Sequence, residues 1–362
     1  MPGETGEPSS ADVTQKSKRP SDSAFKQQRL PAWQPILSAG TVLPTFFVIG
    51  IAFIPVGIGL LYFSESVKEY IVDYTKCVRE GGDFSNQTCA DFIRNKTDHP
   101  PCICNIPLEI DEDMRGKVFM YYGLTNYYQN HRRYVKSRDD DQLLGRLDNA
   151  PSTDCAPFDK DSNGVPIAPC GAIANSLFSD ELTLKTIDGN DVPTVRTGIA
   201  WPSDRNIKFK NPPGDLKEAL KNYAKPLNWK KNLWQLDEKN PSNNGFENED
   251  LIVWMRTAAL PSFRKLYRKI DHSAKGYSDG LIKGNYTLIV DYSYSVTEFD
   301  GEKKFILSTT SLLGGKNPFL GVAYIVVGCI CLLLGFVLLF THIKCSKSSE
   351  MMINVTPRTP YT

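Results

Sequence analysis

The chain has 362 residues, of which 41% are hydrophobic and 23% charged, with a formal net charge of +1. This balance carries no basic excess and so excludes a nucleic-acid binder held by phosphate attraction. The average also hides two long uncharged stretches inside an otherwise polar chain.

Residues 1–22 are rich in Ser, Thr, Pro, Gly and charge, a composition too poor in apolar side chains to fold alone. Residues 24–35 (AFKQQRLPAWQP) then form a membrane-proximal segment, with Trp33 at the position of an interfacial aromatic anchor. The first uncharged stretch runs from Leu30 to Ser64, with its apolar heart at Val42 to Phe63. A hydrocarbon core roughly 30 Å thick needs about 20 apolar residues in a helix, which this stretch supplies. It follows a polar leader, is too long for a signal-peptide core and lacks a small-residue cleavage site, so it reads as a retained signal anchor. Pro44 and Pro55 lie eleven residues apart, about three turns, on nearly the same side. Gly50, Gly57 and Ser64 recur every seven residues, a spacing that holds small residues on one helix face where another backbone can approach.

Between the stretches lie residues 64–317, read as a lumenal or extracellular domain. Six of the nine cysteines fall here, Cys77, Cys89, Cys102, Cys104, Cys155 and Cys170, an even set that suits three disulfides in an oxidising compartment. Three glycosylation sequons accompany them, at Asn86, Asn95 and Asn285. Cys102 and Cys104 are too close in sequence to bond each other easily. Each is expected to pair upstream with Cys77 or Cys89, nested or crossed, leaving Cys155 and Cys170 to close a short loop. Residues Tyr286 to Val296 alternate apolar and polar, the period of a half-buried strand. Val118–Tyr122, Leu182–Ile187, Gly198–Trp201 and Phe305–Ser311 are further strand candidates. Asp250–Ile270 shows near-helical spacing that Pro261 must interrupt or end.

The second uncharged stretch, Asn317 to Ile343, contains no Asp, Glu, Lys or Arg and only His342 near its end, and repeats the small-residue spacing at Gly321, Gly328 and Gly335. Either the two spans pack on each other through these glycines, or the stripes meet another protein's helices. The resulting layout is a cytosolic tail (1–41), a first span (42–63), the external domain (64–317), a second span (318–341) and a cytosolic tail (342–362). Asn354 then lies on the wrong side for its sequon to be used, and Cys345 is expected to be an unmodified thiol, with palmitoylation as the alternative. The fold class is two transmembrane helices plus a mainly β ectodomain, an antiparallel two-sheet sandwich with long loops and a few short helices.

No catalytic set is legible. The lumenal histidines, His99, His131 and His272, lie outside metal-binding and nucleophile motifs, and Gly314-Gly315-Lys316 lacks the remainder of a phosphate loop. No metal or cofactor is expected. The densest polar run, His131 to Asp141, reads as a set of structural ion pairs, with contact to lipid headgroups as the alternative. The span interiors carry no ionisable residue of the kind that marks an ion path.

Five blocks carry a resemblance: Ala24–Pro35, Phe119–Asp140, Pro166–Ser176, Val253–Pro261 and Gly314–Gly321. Together they resemble the cell division control protein 50 family, the beta subunits of type IV P-type ATPase lipid flippases. The resemblance implies a non-catalytic accessory subunit, paired as a heterodimer with an ATPase alpha subunit that moves aminophospholipids to the cytosolic leaflet. It also implies roles in folding of that ATPase, exit from the endoplasmic reticulum and transport. The expected locations are the endoplasmic reticulum, the Golgi and endosomal system, and the plasma membrane. It further implies the nested disulfides Cys77–Cys104 and Cys89–Cys102, with Cys155–Cys170. The rival class, a two-pass ligand-gated channel, shares the topology but needs a polar ring in its second span.

Overall fold

The computed structural model describes residues 21–30, 38–80, 87–94, 102–147 and 150–352, with the side chains of 346–352 left aside. Asn86, Asn95, Asn354, His99 and Trp33 lie outside the described residues, as does most of the second half of the 24–35 segment. Two helices are long and apolar enough to cross a membrane, Ala39–Glu65 and the stretch Phe319–Cys345 of a helix that extends to Met352. The chain divides into two compact units, residues 1–55 with 325–362, and residues 56–324.

Among the described residues the larger unit contains ten strands, and every ladder between them is antiparallel. In chain order they are β1 (Glu69–Asp73), β2 (Cys102–Ile110), β3 (Met114–Arg115), β4 (Val118–Leu124), β5 (Glu181–Thr186), β6 (Thr194–Val195), β7 (Phe263–Ile270), β8 (Gly280–Leu281), β9 (Gly284–Tyr292) and β10 (Lys303–Thr309). One sheet has the order β1-β10-β4-β7-β6, a second β2-β9-β5, and β3 pairs with β8 alone. The first strand after one apolar helix therefore lies beside the last strand before the other, with Tyr70 opposite Leu307. That pairing is extended toward the helices, where Thr309 N donates to Lys68 O and Asn317 N donates to Ser64 Oγ at 3.0 Å.

The two larger sheets share one core because both bury their alternating apolar faces. Tyr122 of β4 stacks on Phe178 at 3.9 Å between ring centroids, and Trp254, Tyr267 and Tyr294 close around them. A bulge between Met120 and Tyr121 shifts the β4–β7 register past Tyr267. The Tyr267 hydroxyl accepts from Leu182 N of β5, a direct link from one sheet to the other. Cys155, Ile167 and Cys170 form a separate small cluster.

Three expected elements come out differently, each for a local reason. Gly198–Trp201 is no strand: Gly198 has a positive φ, and the N–H groups of Ile199 and Ala200 donate to Glu249 Oε2 at 2.7 and 2.8 Å. The carboxylate takes the donors that a ladder would have used. Asp250–Ile270 is not a helix ended by proline. A short helix, Glu249–Met255, is capped at its start by Asn248 and stops six residues before Pro261. Lys265 Nζ donates to the carbonyls of Val253, Trp254 and Arg256, which satisfies the helix end, and β7 carries the remaining residues. The strand through Tyr286 ends at Tyr292 rather than Val296, because Ser293 N and Tyr294 N turn to Asp180 Oδ1 at 2.7 and 2.6 Å.

Candidate functional site

The apolar helices present one kind of surface. In each, the buried positions among the described side chains are the three at seven-residue spacing: Gly50, Gly57 and Ser64 in the first, Gly321, Gly328 and Gly335 in the second. In the smaller unit, a Cβ on Gly50 would stand 2.5 Å from Leu332 Cγ and 3.0 Å from Gly328 O, and one on Gly328 would stand 2.9 Å from Ile54. Gly335 meets the ring of Phe47, which also packs edge-on against Phe336. In the larger unit, a Cβ on Gly321 would lie 2.9 Å from Leu61 N and 3.0 Å from Gly57 O. The glycines of one helix thus lie against the other helix, and the backbones meet where no side chain fits. Gly59 has open space at its Cβ position.

Three disulfides lie in the ectodomain. Cys77 joins Cys104 and Cys89 joins Cys102, nested about the first residues of β2, and Cys155 joins Cys170. The Cys77, Cys89 and Cys104 sulfurs lie within 4.8 Å of one another because the two nested bridges sit side by side. Those sulfurs are committed to bonds and offer no metal site. Asn285 is exposed in β9, opposite Glu109 of β2, so its amide is open to solvent. Cys329 and Cys345 are exposed thiols and Cys331 is half-buried, all in the second apolar helix.

Three of the signature blocks interlock. Ala172 N donates to Ser137 Oγ, and the hydroxyls of Tyr134 and Ser176 lie 2.8 Å apart. Ala258 N donates to Gln129 Oε1, Asn130 Nδ2 to Ala259 O, and Trp254 Nε1 to Ile173 O. Within the His131–Asp141 run, Tyr134 is fixed by these contacts. Asp139 caps a short helix by accepting from Asp141 N and Gln142 N, and Arg138 pairs with Asp140 at 2.9 Å. His131, Arg132, Arg133 and Lys136 remain exposed. The acidic half of the run is structural, and the basic half faces solvent.

The residues that sequence reasoning passed over are buried charges. Lys303 and Asp180 have fully buried side chains and pair at 2.6 Å. Lys303 Nζ also donates to Tyr294 O and lies 3.0 Å from the Tyr292 ring centroid. Asp180 accepts in addition from the Tyr74 hydroxyl and the two β9-end amides. Burial brings the Lys303 ammonium down to about 8 against the opposing pull of Asp180. Lys303 was findable in principle, since strand alternation places it inward with Phe305 and Leu307; Asp180, 123 residues away in sequence, was not.

Two helices long and apolar enough to cross a membrane, flanking a disulfide-bonded, two-sheet antiparallel domain, define the class of two-span membrane proteins with one large domain between the spans. Within that class, residues 60–348 match the model of the LEM3 (ligand-effect modulator 3) family / CDC50 family, and the chain belongs to that family. Cell cycle control protein 50A of Bos taurus is 52% identical over 354 residues, 95% of each chain. Cell cycle control protein 50B of Homo sapiens is 48% identical over 337 residues, 90% of this chain and 94% of its own. ALA-interacting subunit 3 of Arabidopsis thaliana is 41% identical over 336 residues, 92% of this chain and 88% of its own.

Proposed function

We propose that this protein is the non-catalytic beta subunit of a phospholipid flippase, paired with a type IV P-type ATPase that moves aminophospholipids from the outer to the cytosolic leaflet. The observation that carries this reading is family membership across the ectodomain and the second span, residues 60–348, with a relative 52% identical over 95% of the chain. It is supported by a relative whose own name is that of an interacting subunit. In this reading both termini are cytosolic, the spans are 42–63 and 318–341, and residues 64–317 face the lumen with glycans on Asn86, Asn95 and Asn285. The subunit escorts its ATPase from the endoplasmic reticulum toward the Golgi, endosomes and plasma membrane. A channel is not favoured: the spans 42–63 and 318–341 hold no Asp, Glu, Lys, Arg or His, and the small faces are taken up by helix packing.

The test is co-expression of the tagged chain with a type IV P-type ATPase, recovery in mild detergent, and uptake of a fluorescent aminophospholipid. The ATPase is expected to co-purify, both chains to leave the endoplasmic reticulum, and uptake to rise over that with either chain alone. Failure to recover any such ATPase, or robust currents from the partner-free protein, overturns the reading, and a glycan on Asn354 overturns the topology.

A further inference from the structure

The ectodomain contains a cavity of about 390 Å³ between the ends of the two sheets, within the size range that small organic ligands occupy. One wall is aromatic, formed by Phe178, Trp229 and Tyr267. Trp229 is held in place by its Nε1 donating to Ala174 O at 2.7 Å, and the same segment is pinned where Asn228 N donates to Asn175 Oδ1. The wall is therefore preformed, which lowers the cost of binding.

The charges in this cavity are unevenly satisfied. Asp180 is saturated by Lys303, Tyr74 and two amides, and Arg268 holds Asp250 with its two terminal guanidinium nitrogens. Glu181 of β5 stands directly opposite Asp291 of β9, like charges at one cross-strand pair, which is unfavourable without a cation between them. Asp291 Oδ1 is buried and has no hydrogen-bond partner among the described residues. Such a group ordinarily costs the full desolvation penalty. Burial, with Glu181 and Asp180 nearby, pushes its carboxyl above the usual range against the pull of Lys230. The closest cation to Glu181 is Lys231, at only 4.0 Å and exposed. At the mouth, Arg196 and Lys230 are exposed and make no ion pair among the described residues.

We propose that this cavity binds a small zwitterion, with its primary ammonium between Asp291 and Glu181 and its phosphate or carboxylate at the mouth on Arg196 and Lys230. An ammonium supplies the donors that Asp291 lacks and gains from the adjacent aromatic faces. A hard divalent ion suits the site poorly, since it needs six or more oxygen ligands and would meet the basic rim. The zwitterion is either a free metabolite or the headgroup of a lipid. The site stands whether or not the ATPase reading holds.

The experiment is titration of O-phosphoethanolamine into the purified full-length protein in detergent, followed by calorimetry. Saturable binding is expected, with ethanolamine alone and inorganic phosphate alone each weaker by about tenfold or more, as loss of one charged contact implies. Asp291→Asn keeps the shape and should weaken binding about tenfold. Should that variant fail to reach the folded, disulfide-bonded state, Arg196→Gln with Lys230→Gln at the exposed rim serves instead, with a loss of similar size. Competition by dihexanoyl-phosphatidylethanolamine assigns the site to a lipid headgroup, and its absence assigns it to a free zwitterion; either supports the site. No saturable binding by the unaltered protein, or undiminished affinity in the folded variants, overturns the proposal.

Discussion

The apolar helices and the ectodomain solve the same packing problem with opposite materials. The helices bury glycine and one serine and leave their large apolar side chains outward, Val48, Ile51, Phe336 and Phe340 among them. The ectodomain buries Trp254, Phe246, Tyr74 and Tyr292, and with them the charged ends of Lys303, Asp180 and Arg268. In lipid there is no gain from hiding leucine, so close backbone contact through small residues decides which face is inward. In water the gain comes from burying large apolar area, and a charge taken inside must arrive with its partners. The difference shows that burial of a residue type reports the solvent as much as the fold.

The comparison can be broken most severely at the buried pair. Asp180→Asn removes the countercharge of a fully buried ammonium and leaves one acceptor oxygen for donors that now share two, and loss of one partner of such a pair costs about 3–5 kcal/mol. The expected outcome is a large drop in melting temperature of the purified protein and retention without complex glycans. Asp180→Asn with Lys303→Met should recover part of that loss, because no unpaired charge remains; a double variant worse than the single would show that the pair's charge is not the cause.

Next in size is the contrast between the cysteines of the disulfide-bonded domain and those of the second apolar helix. Cys155→Ser breaks a bridge closing a 15-residue separation, for which loop-entropy estimates give about 3 kcal/mol. Cys345→Ser removes an exposed thiol in the second apolar helix and should leave stability unchanged. The two can be compared by acquisition of complex glycans, and equal maturation would mean that the 155–170 bridge does little for folding.

A smaller effect is expected in the helix pair, and it sharpens the contrast. Gly328→Leu forces a branched side chain against Ile54 and Gly50 O, overpacking that costs about 1–3 kcal/mol. Gly59→Leu points into open space and serves as the control on the same pair of helices. Thermal aggregation in detergent should shift for the first and not the second. If instead Gly59→Leu alone lowers recovery of a co-expressed ATPase, the face bearing Gly59 is the one that meets the partner.

The smallest effect concerns a buried carboxylate of the ectodomain, Asp204, whose cation partners reach solvent. Burial pushes the Asp204 carboxyl up, but hydrogen bonds from Lys208 and Arg256 more than offset it and hold it below the usual carboxylate range. The stabilisation is therefore present above the ordinary carboxylate value and is lost as pH falls through the lowered one. Both cations are largely exposed, so the pair is worth about 0–1 kcal/mol. Asp204→Asn should flatten the acid limb of the stability curve and leave neutral pH almost untouched, as read by urea midpoints across the acid range.

Much of the fold follows from local pattern. Length and lack of charge alone mark the two helices, and the alternation from Tyr286 marks β9, because both signals repeat along the chain without help from distant residues. The seven-residue glycine spacing was equally legible, though whether it faced the other span or a partner was not, since spacing marks a face without naming what covers it. The ends of the elements needed the tertiary structure. A helix from Glu249 stops at Met255 because Lys265 arrives from another strand to take its carbonyls, and β9 stops at Tyr292 because Asp180 takes its amides. The Lys303–Asp180 pair and the cavity facing Asp291 were also out of reach. Each joins residues far apart in sequence, and sequence spacing carries no information about a contact made only when two sheets close on each other.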